Sequence, residues 1–393
     1  MSKQQQVLSW LSTQGRNIVD ETGESVLLHG VGLGSWHLPE GYMFGQIQAP
    51  YNSPRGMEAL SHELIGPDAS KAFWETWREN SFTTVDAQAI AENGCNSIRL
   101  ALDWRHLFTD EDEPQPIEEG LALIDRVIAD GKAAGLWSIL DLHAAPGGQN
   151  GTNIDNGWAH PWLFVSERCW HQAIVVWREL ARRYKDCPEV AGYDLLNEPL
   201  PEVYKEQYYH RLPEFYRECI AAIREVDARH IVILEGANWS TDYSMITKKL
   251  DEYVVYGFHK YWNATDQQSI QDFLDLSRRD NAPIWCGETG ENDLNWYRET
   301  AALFKRHNIG WNLWPYKRMA NGENLAPYII KEPTGWNQVK AYAKTGNYDD
   351  RPSLETARAA FSKLALNCRL ENCRHDLPVL NAWFARLSDE KET

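Results

Sequence analysis

Eight short apolar segments, each separated from the next by a longer stretch, recur along this 393-residue sequence. The apolar segments have the length and composition of buried strands, and several intervening stretches show a 3.6-residue periodicity and end on glycine. Strands that alternate with helices are typical of a parallel sheet with right-handed crossovers. A count of eight favours a closed (β/α)8 barrel of the TIM type, an α/β fold. The predicted strands are 25–36, 96–102, 136–145, 190–199, 230–236, 253–262, 282–290 and 309–317.

The stretches between the strands carry the helical signals. The predicted helices are 83–94, 117–135, 170–186, 204–229, 269–280 and 295–308. The segment 237–252 gives the weakest helix prediction because it is short and polar. After residue 318 the pattern changes to a polar loop followed by two helical stretches, 353–367 and 377–387. We expect a single domain over residues 1–393, with a barrel at about 25–320 and a C-terminal helical extension at about 321–393.

Composition narrows the class of partner. A net charge of −17 argues against nucleic acids and anionic membranes, which bind basic surfaces. The N-terminus lacks the apolar core of a signal peptide, and no apolar run approaches the length of a membrane span, so we expect a cytoplasmic protein. The seven irregularly spaced cysteines fit reduced thiols in that compartment. Its 18 Trp and 17 Tyr offer flat faces that stack well on sugar rings, which favours a carbohydrate partner. The oligomeric state is left open.

Polar and titratable residues lie on six of the predicted strands, mostly at their ends. In a barrel the carboxyl ends of all strands meet at one face, where active sites are found. Two glutamates, Glu198 and Glu288, each close an apolar strand and are therefore expected to face one cleft. Paired carboxylates are the groups that cleave glycosidic bonds, one protonated and one ionised. The full set is Arg99, His143, Asn197, Glu198, His259, Tyr261, Glu288 and Trp314.

This ordered set resembles that of glycoside hydrolase family 5, in the clan of (β/α)8 retaining glycosidases. All eight positions are filled, and the resemblance covers roughly residues 25–320. It implies that Glu198 is the acid/base and Glu288 the nucleophile. Asn197 would then bind the sugar 2-hydroxyl, Tyr261 would contact the nucleophile, and Trp314 would form the floor of the subsite on the non-reducing side.

The remaining members of the set have supporting roles in this family. The resemblance implies that Arg99 lowers the pKa of Glu288, and that His143 and His259 bind substrate and orient the carboxylates. Pro199 is expected to restrict the backbone of Glu198, the residue before it. Neither a metal nor a cofactor is implied.

Two loop motifs point to a branch of the family. The runs HGVGLGSWHLPEGY and DLHAAPGGQNG look like those of exo-acting β-1,3-glucanases and β-glucosidases. On this resemblance His37, Glu40, Gln149 and Asn150 would bind the non-reducing end, and the loop 146–162 would form a lid or subsite wall. We expect an exo-acting retaining hydrolase of β-glucosides or short β-glucan oligosaccharides. β-Mannosides and β-galactosides are open alternatives.

Two other classes of function compete with this one. A non-catalytic carbohydrate-binding barrel is disfavoured because both glutamates are present. A metallohydrolase using His143, Glu198 and His259 is disfavoured because the usual zinc-binding spacings are missing. Cys368 and Cys373 likewise lack a zinc-site spacing. The role of Asp194, in the same strand as Glu198, is left open.

Overall fold

The computed structural model describes residues 8–319 and 326–384. Its centre is a closed barrel of eight parallel strands, which confirms the predicted (β/α)8 fold. Trp311 of the last strand pairs with His29 of the first and closes the cylinder. The first strand is shorter than the predicted 25–36. The strands are β1 His29–Gly32, β2 Ser97–Asp103, β3 Trp137–Ala144, β4 Val190–Asp194, β5 Ile231–Glu235, β6 Val254–Lys260, β7 Ile284–Thr289 and β8 Gly310–Leu313.

Thirteen α-helical segments are found in the described residues, most of them covering the outside of the barrel. They are α1 Pro54–Ile65, α2 Pro67–Ser81, α3 Thr84–Glu92, α4 Glu118–Ala134, α5 Glu167–Tyr184, α6 Lys205–Tyr208, α7 Leu212–Arg224, α8 Ala237–Ser240, α9 Gln271–Asp280, α10 Leu294–Arg306, α11 Trp336–Thr345, α12 Leu354–Asn367 and α13 Leu377–Trp383. Short 3-10 turns occur at Gly41–Met43, Trp104–His106, Trp162–Phe164, Glu202–Tyr204, Tyr209–Arg211, Gln267–Ile270, Tyr348–Asp350 and Leu370–Asn372. No helix in 8–319 or 326–384 is both long and apolar enough to cross a bilayer.

Some helix predictions differ from the structure. The predicted helix 204–229 is divided into α6 and α7 by a 3-10 turn, and the predicted helix 237–252 shrinks to the single turn α8. Helices α1, α2 and α11 were not predicted. The start of α1 did have a sequence signal: Ser53 caps the helix by accepting a hydrogen bond from the backbone N–H of Gly56, and Pro54 occupies the first helical position.

The barrel interior changes from apolar to charged along its axis. Alternate residues of a strand point to the same side, so every second residue of β3 points inward. From the amino end these are Trp137 and Ile139, which belong to an apolar cluster, and then Asp141 and His143, which belong to a polar network. On β5 two isoleucines of the same apolar cluster are followed by Glu235. The charged layer therefore lies at the carboxyl end of the strands.

An N-terminal hairpin covers the opposite end of the barrel. Its strands, Ser12–Gln14 and Asn17–Val19, pair antiparallel and were not predicted. Leu8, Leu11 and Ile18 join the apolar cluster inside the barrel, and the ring N–H of Trp137 donates to the backbone oxygen of Ser9 at 3.1 Å. Burying these apolar side chains closes the floor of the barrel without using the face that carries the charged residues.

The C-terminal helices pack on the outside of the barrel. Phe361 of α12 contacts Phe73 of α2 with ring centres 4.9 Å apart, and Trp383 of α13 lies 4.9 Å from Tyr297 of α10. A small mixed sheet, Lys317–Arg318, Tyr328–Ile329 and Arg374–His375, joins the end of the barrel to this extension. The part of the predicted helix 377–387 beyond 384 lies outside the described residues.

Candidate active site

A cavity of about 570 Å³ opens at the carboxyl ends of the strands. Seven of the twelve residues predicted for the site line it: Glu40, His143, Glu198, His259, Tyr261, Glu288 and Trp314. Nine lining residues were not predicted: Tyr42, Asn153, Ile154, Asn238, Trp239, Thr241, Trp262, Asn263 and Glu291. The loop 146–162 contributes Asn153 and Ile154, so part of it does form a wall of the cavity.

Arg99 on β2 holds the layer of carboxylates together from behind the cavity wall. Its guanidinium is fully buried and donates to Glu288 Oε1 at 2.5 Å and to Asn197 Oδ1 at 2.8 Å. It also donates to Glu235 Oε1 at 2.9 Å and, through Nε, to Asp194 Oδ2 at 2.8 Å. Asp194 is therefore a barrel-interior partner of Arg99. A buried arginine with several carboxylate partners stays charged and keeps them in fixed positions.

Glu288 is the penultimate residue of β7, and both of its carboxylate oxygens are held by hydrogen bonds. Arg99 bonds Oε1, and the hydroxyl of Tyr261 donates to Oε2 at 2.9 Å. Burial raises the pKa of Glu288, but the positive charges of His259 and Arg99 outweigh burial, so the pKa lies below that of an ordinary glutamate. Glu288 is thus an ionised carboxylate with a fixed orientation, which is what a nucleophile requires.

Glu198 reaches the same cavity in a different environment. Burial raises its pKa more than the hydrogen bond and charge of His259 lower it, so the pKa lies above the ordinary value. His259 Nδ1 lies 2.7 Å from Glu198 Oε1. One carboxylate oxygen of Glu198 and one of Glu288 lie within 4.8 Å of each other. Two adjacent glutamates with opposite pKa shifts can divide the acid and nucleophile roles between them.

The backbone of Glu198 is held by hydrogen bonds rather than by Pro199 alone. Glu198 has a φ of +42°, in the left-handed region, so the extended conformation expected before a proline is wrong for this residue. Its N–H donates to Glu235 Oε2 at 2.7 Å, and its carbonyl accepts from Asn150 Nδ2 at 2.6 Å. These two bonds fix the peptide planes on either side of the residue and sustain the unusual φ.

Trp314, beyond the end of β8, forms a flat wall of the cavity. Its ring stacks on His143 with centres 5.0 Å apart and an interplanar angle of 11°, and its ring N–H donates to the Tyr42 hydroxyl at 3.0 Å. A Cβ at Gly32 would lie 2.4 Å from the Trp314 ring, so the GVGLG run of the first strand makes room for this tryptophan. Glycine is required here by close approach.

Five predicted residues lie outside the cavity wall. Arg99 and Asn197 stand behind the carboxylates, and Asn197 uses its amide to accept from Arg99 and donate to His143 Nε2. Gln149 accepts from the N–H of Ala145 and donates to the backbone oxygens of His143 and Asn197.

Asn150 binds the Glu198 carbonyl, as described above. In this structure Gln149 and Asn150 are fully buried and fix the loop that carries Asn197 and Glu198. The geometry therefore gives both amides a positioning role, whereas the sequence-based interpretation placed them against the non-reducing end of the sugar.

His37 also differs from its predicted position. It is buried, its Nδ1 accepts a hydrogen bond from the N–H of Asp103, and its ring lies 4.8 Å from that of His106. Burial, together with the nearby His106 and Arg78, keeps its pKa well below the ordinary value. His37 therefore supports the end of β2 and does not line the cavity.

Sequence reasoning missed two acids of the charged layer. Glu235 accepts from the Glu198 N–H and from Ser240, and lies 3.2 Å from His259 Nε2. Asp141 accepts from His143 Nδ1 at 2.7 Å. Glu235 ends an apolar strand in the way that Glu198 and Glu288 do, and this was the signal that could have found it. Asp141 lies two residues before His143 and so shares its inward face.

A metal would compete poorly for this site. Ligand atoms of Glu198, His259 and Glu288 lie within 4.8 Å of one another, the spacing of a possible metal centre. However, the two nitrogens of His259 face Glu198 and Glu235, and these and Glu288 raise the His259 pKa well above the ordinary value against the effect of burial. A protonated histidine has no lone pair for a metal. Glu198, His259 and Glu288 therefore form a network of charges and hydrogen bonds rather than a set of metal ligands.

Comparisons with known proteins agree with this geometry. A family model described as Cellulase (glycosyl hydrolase family 5) matches residues 56–319. Over 354 residues the chain is 34% identical to a beta-xylosidase from Phanerodontia chrysosporium, covering 79% of this chain and 71% of that protein. Over 237 residues it is 28% identical to the probable glucan 1,3-beta-glucosidase A of Aspergillus fumigatus, covering 60% and 56%. The catalytic domain of Thermobifida fusca endoglucanase Cel5A shares the fold, with a TM-score of 0.52, 16% identity and coverage of 91% and 97%.

Proposed function

Because the chain belongs to glycoside hydrolase family 5 and is an O-glycosyl hydrolase acting on carbohydrate, we propose that it is a retaining β-glycosidase with Glu288 as nucleophile and Glu198 as acid/base. The observation that carries this assignment is the pair itself: two buried carboxylates with oxygens within 4.8 Å and pKa values shifted in opposite directions. Carboxylate oxygens this near to each other support a retaining enzyme, whose carboxyl groups lie roughly 5–5.5 Å apart, over an inverting one, whose carboxyl groups lie roughly 6.5–9.5 Å apart.

The first step forms a glycosyl-enzyme. Glu288 attacks the anomeric carbon, the bond from that carbon to the leaving oxygen breaks, and Glu198 gives its proton to that oxygen. Arg99 and Tyr261 hold one oxygen of Glu288 each, so the attacking lone pair is aimed before the substrate arrives.

The second step reverses the proton transfer. Ester formation removes the negative charge of Glu288, which is one of the causes that raise the Glu198 pKa, so that pKa falls in the intermediate. Glu198 then takes a proton from water as the water oxygen attacks the anomeric carbon and releases Glu288. The same two side chains therefore serve both steps.

For the substrate, we propose exo-action on β-glucosides or short β-glucan oligosaccharides. Supporting this, a relative is named probable glucan 1,3-beta-glucosidase A, and the buried Glu40 and the half-buried Tyr42 line the cavity together with Trp314, where an enclosed glycone would lie. A β-xyloside is the second candidate, because the relative at 34% identity is named beta-xylosidase. A panel of nitrophenyl β-glycosides and short β-glucans, with products identified, distinguishes the two. Glucose released from chain ends supports the first, and release of internal fragments contradicts exo-action.

The roles of the two glutamates can be tested by azide rescue. With an aryl glycoside, Glu288→Ala is expected to lose turnover by about 10⁴-fold or more and, with azide, to form the α-glycosyl azide, because azide attacks from the vacated side. Glu198→Ala is expected to retain the glycosylation step and give the β-glycosyl azide. The exposed Glu202→Ala is the control and should match wild type. Swapped product configurations would overturn the assignment. Sugar binding without any hydrolysis by the wild type would favour a non-catalytic barrel, and loss of activity with chelators a metallohydrolase.

A further inference from the structure

Two tryptophans that line the cavity have left-handed backbone conformations. Trp239 has a φ of +59° and Trp262 a φ of +44°. Bulky side chains rarely adopt this region because Cβ approaches the following carbonyl oxygen. Both rings are also accessible, with 36% of Trp239 and 71% of Trp262 exposed, so burial does not account for either. Backbone strain of this kind persists where surrounding structure enforces it, most often at functional sites.

The turn that carries Trp239 is tied to the acid/base segment. The residues on both sides of it, Asn238 and Ser240, also have positive φ, so the three form one left-handed turn after β5. The N–H of Asn238 donates to the carbonyl of Leu200 at 2.8 Å, two residues after Glu198, and Ser240 donates to Glu235. Glu235 in turn accepts from the Glu198 N–H. The position of the Trp239 ring is therefore coupled to that of the acid.

Trp262 is held at the next strand end. Its ring N–H donates to the carbonyl of Glu291 at 3.0 Å, and its ring centre lies 5.3 Å from that of Tyr261, the residue that contacts the nucleophile. A fixed ring with most of its surface accessible presents an apolar face to whatever enters the cavity.

The topology places these rings away from the glycone wall. In a closed eight-stranded barrel β4 and β8 lie on opposite sides, and the glycone wall, Trp314, follows β8. Glu198, which must reach the leaving oxygen, follows β4. Trp239 and Trp262 follow β5 and β6, and the Trp239 turn is bonded to the Glu198 segment. The leaving group must lie on the side from which it receives its proton.

We propose that Trp239 and Trp262 form the leaving-group subsite, and that this subsite takes a leaving group with a flat apolar face, either a second sugar ring or an aryl ring. The proposal rests on the proposed function, because it requires Glu198 to be the acid. The rings act only in the glycosylation step, when the leaving group is still attached. They contribute nothing to hydrolysis of the intermediate, from which the leaving group has departed.

The test compares leaving groups on one glycone. Benzyl and 2-methoxyethyl β-glycosides release alcohols of similar acidity, but only benzyl has a flat apolar face. We expect Trp239→Ala and Trp262→Ala to lower kcat/KM for the benzyl glycoside by about tenfold each, and for the methoxyethyl glycoside by less than about twofold. The matching disaccharide distinguishes the two sources: a loss like that of benzyl assigns the subsite to sugars as well, and no loss restricts it to aryl groups.

The controls separate this proposal from the proposed function. Trp262→Phe should restore most of the benzyl preference, and the exposed Tyr348→Ala, remote from the cavity, should behave as wild type. The rate of hydrolysis of a pre-formed glycosyl-enzyme should be unchanged in every variant. Equal losses on benzyl and methoxyethyl glycosides, or a slower hydrolysis of the intermediate, would overturn the leaving-group subsite. A wild type that cleaves none of these glycosides would refute the proposed function instead.

Discussion

Glu198 and Glu288 are both glutamates, but their pKa values are shifted in opposite directions, and their neighbours account for the difference. Glu288 accepts hydrogen bonds from the Arg99 guanidinium and the Tyr261 hydroxyl. Glu198 is bonded to His259, and burial is the main influence on its carboxyl group. Charge lowers the pKa of the first carboxyl below its ordinary value, and burial raises the pKa of the second above it. Because Arg99 also binds Asp194 and Glu235, a change to either of them reaches Glu288 through the same guanidinium.

This arrangement fixes the form of the pH dependence. The proposed mechanism requires Glu288 ionised and Glu198 protonated, so kcat/KM should fall at low pH as Glu288 gains a proton and at high pH as Glu198 loses one. From the directions of the shifts, the acid limb should lie below the ordinary glutamate pKa of about 4.3 and the alkaline limb above it. Initial rates on an aryl glycoside across pH provide the measurement. The alkaline limb should disappear in Glu198→Gln assayed with an activated leaving group, and its persistence would contradict the assignment.

A change to Glu235 should show the effect of misplacing Glu198 without the loss of a contact to the sugar. Glu235 does not line the cavity, but it accepts from the Glu198 N–H and faces His259 and Arg99. Glu235→Gln should lower kcat about 10- to 100-fold with little change in KM, because the acid is misplaced while the sugar contacts remain. Stability should fall by about 1.5–3 kcal/mol, the value of a charged hydrogen bond.

Two measurements distinguish a misplaced acid from a general loss of activity in Glu235→Gln. An activated aryl leaving group, which needs little acid assistance, should recover much of the lost rate in Glu235→Gln. Glu189→Gln, which removes an acid paired with Lys132 just before β4 at the opposite end of the barrel, should leave kcat unchanged. An increase in KM as large as the fall in kcat would place Glu235 among the binding residues.

At the scale of single elements, the least regular one is the most informative. The α8 turn places Asn238, Trp239 and Ser240 in left-handed conformations, and short-range propensity does not favour that at tryptophan. The conformation is imposed by a bond to Leu200, which lies far away in the sequence, and by a bond to Glu235, whose carboxylate is itself held by Arg99 and by the Glu198 N–H. This is the physical reason that neither the turn nor its exposed ring could be predicted from the sequence.

The strain in this turn can be measured with two substitutions that remove the same ring. Trp239→Gly and Trp239→Ala differ only by a methyl group, but glycine adopts a φ of +59° without strain and alanine adopts it only at a cost. The glycine variant should therefore be the more stable of the two by about 1 kcal/mol in urea unfolding, while both lose the same activity on a benzyl glycoside. An alanine variant as stable as the glycine variant would mean that the turn relaxes once the ring is gone.

Predictability from sequence differed between elements. Strand ends were predictable because the carboxyl ends of all the strands of a barrel meet at one face, so charged residues that end apolar strands lie near one another. This identified Glu198 and Glu288. Glu235 was missed although its strand ends in the same way, because the family resemblance has no position there. Gln149 and Asn150 were selected because their loop resembles that of one branch of the family, but their buried contacts to backbone oxygens depend on tertiary structure and not on the motif.

For the whole molecule, the alternation of strands and helices was sufficient to predict the fold, and the closed barrel confirms it. The additions to the barrel were harder. The N-terminal hairpin is short, and helices α1 and α2 belong to an insertion between the first two barrel strands, so the alternation of strands and helices offered no place for them. The strand periodicity did locate the polar face, because inward positions change from apolar to charged along β3 and β5.

A carboxyl group at the opposite end of the barrel from the cavity should make the stability of the whole molecule depend on pH. Asp227, just before β5, is buried and accepts from Tyr193 and His230. Burial raises its pKa, but these bonds and the His230 charge outweigh it and lower the pKa to about 2. A depressed carboxyl pKa stabilises the fold above its unfolded value of about 3.9, and this stabilisation disappears as pH falls towards about 2.

We expect Asp227→Asn to remove about 2–3 kcal/mol near neutral pH and to flatten the loss of stability between about pH 4 and pH 2. Urea unfolding followed by circular dichroism at several pH values measures both effects. Activity at neutral pH should be retained, since the residue lies far from the cavity lining. A variant with the same pH slope as wild type would assign the acid sensitivity to the charged layer instead.

Most acids of the charged layer and the two accessible tryptophans are carried by different kinds of structure. Glu235 and Glu288 belong to barrel strands, and Arg99 ties the charged layer together, whereas Trp239 and Trp262 sit on connections that follow β5 and β6. Substitution of those two side chains, with the backbone bonds of their turns retained, would leave Glu198, Glu235 and Glu288 in place. Descendants of such a chain could therefore acquire new leaving-group preferences by drift in a few loop positions, with the chemistry inherited intact.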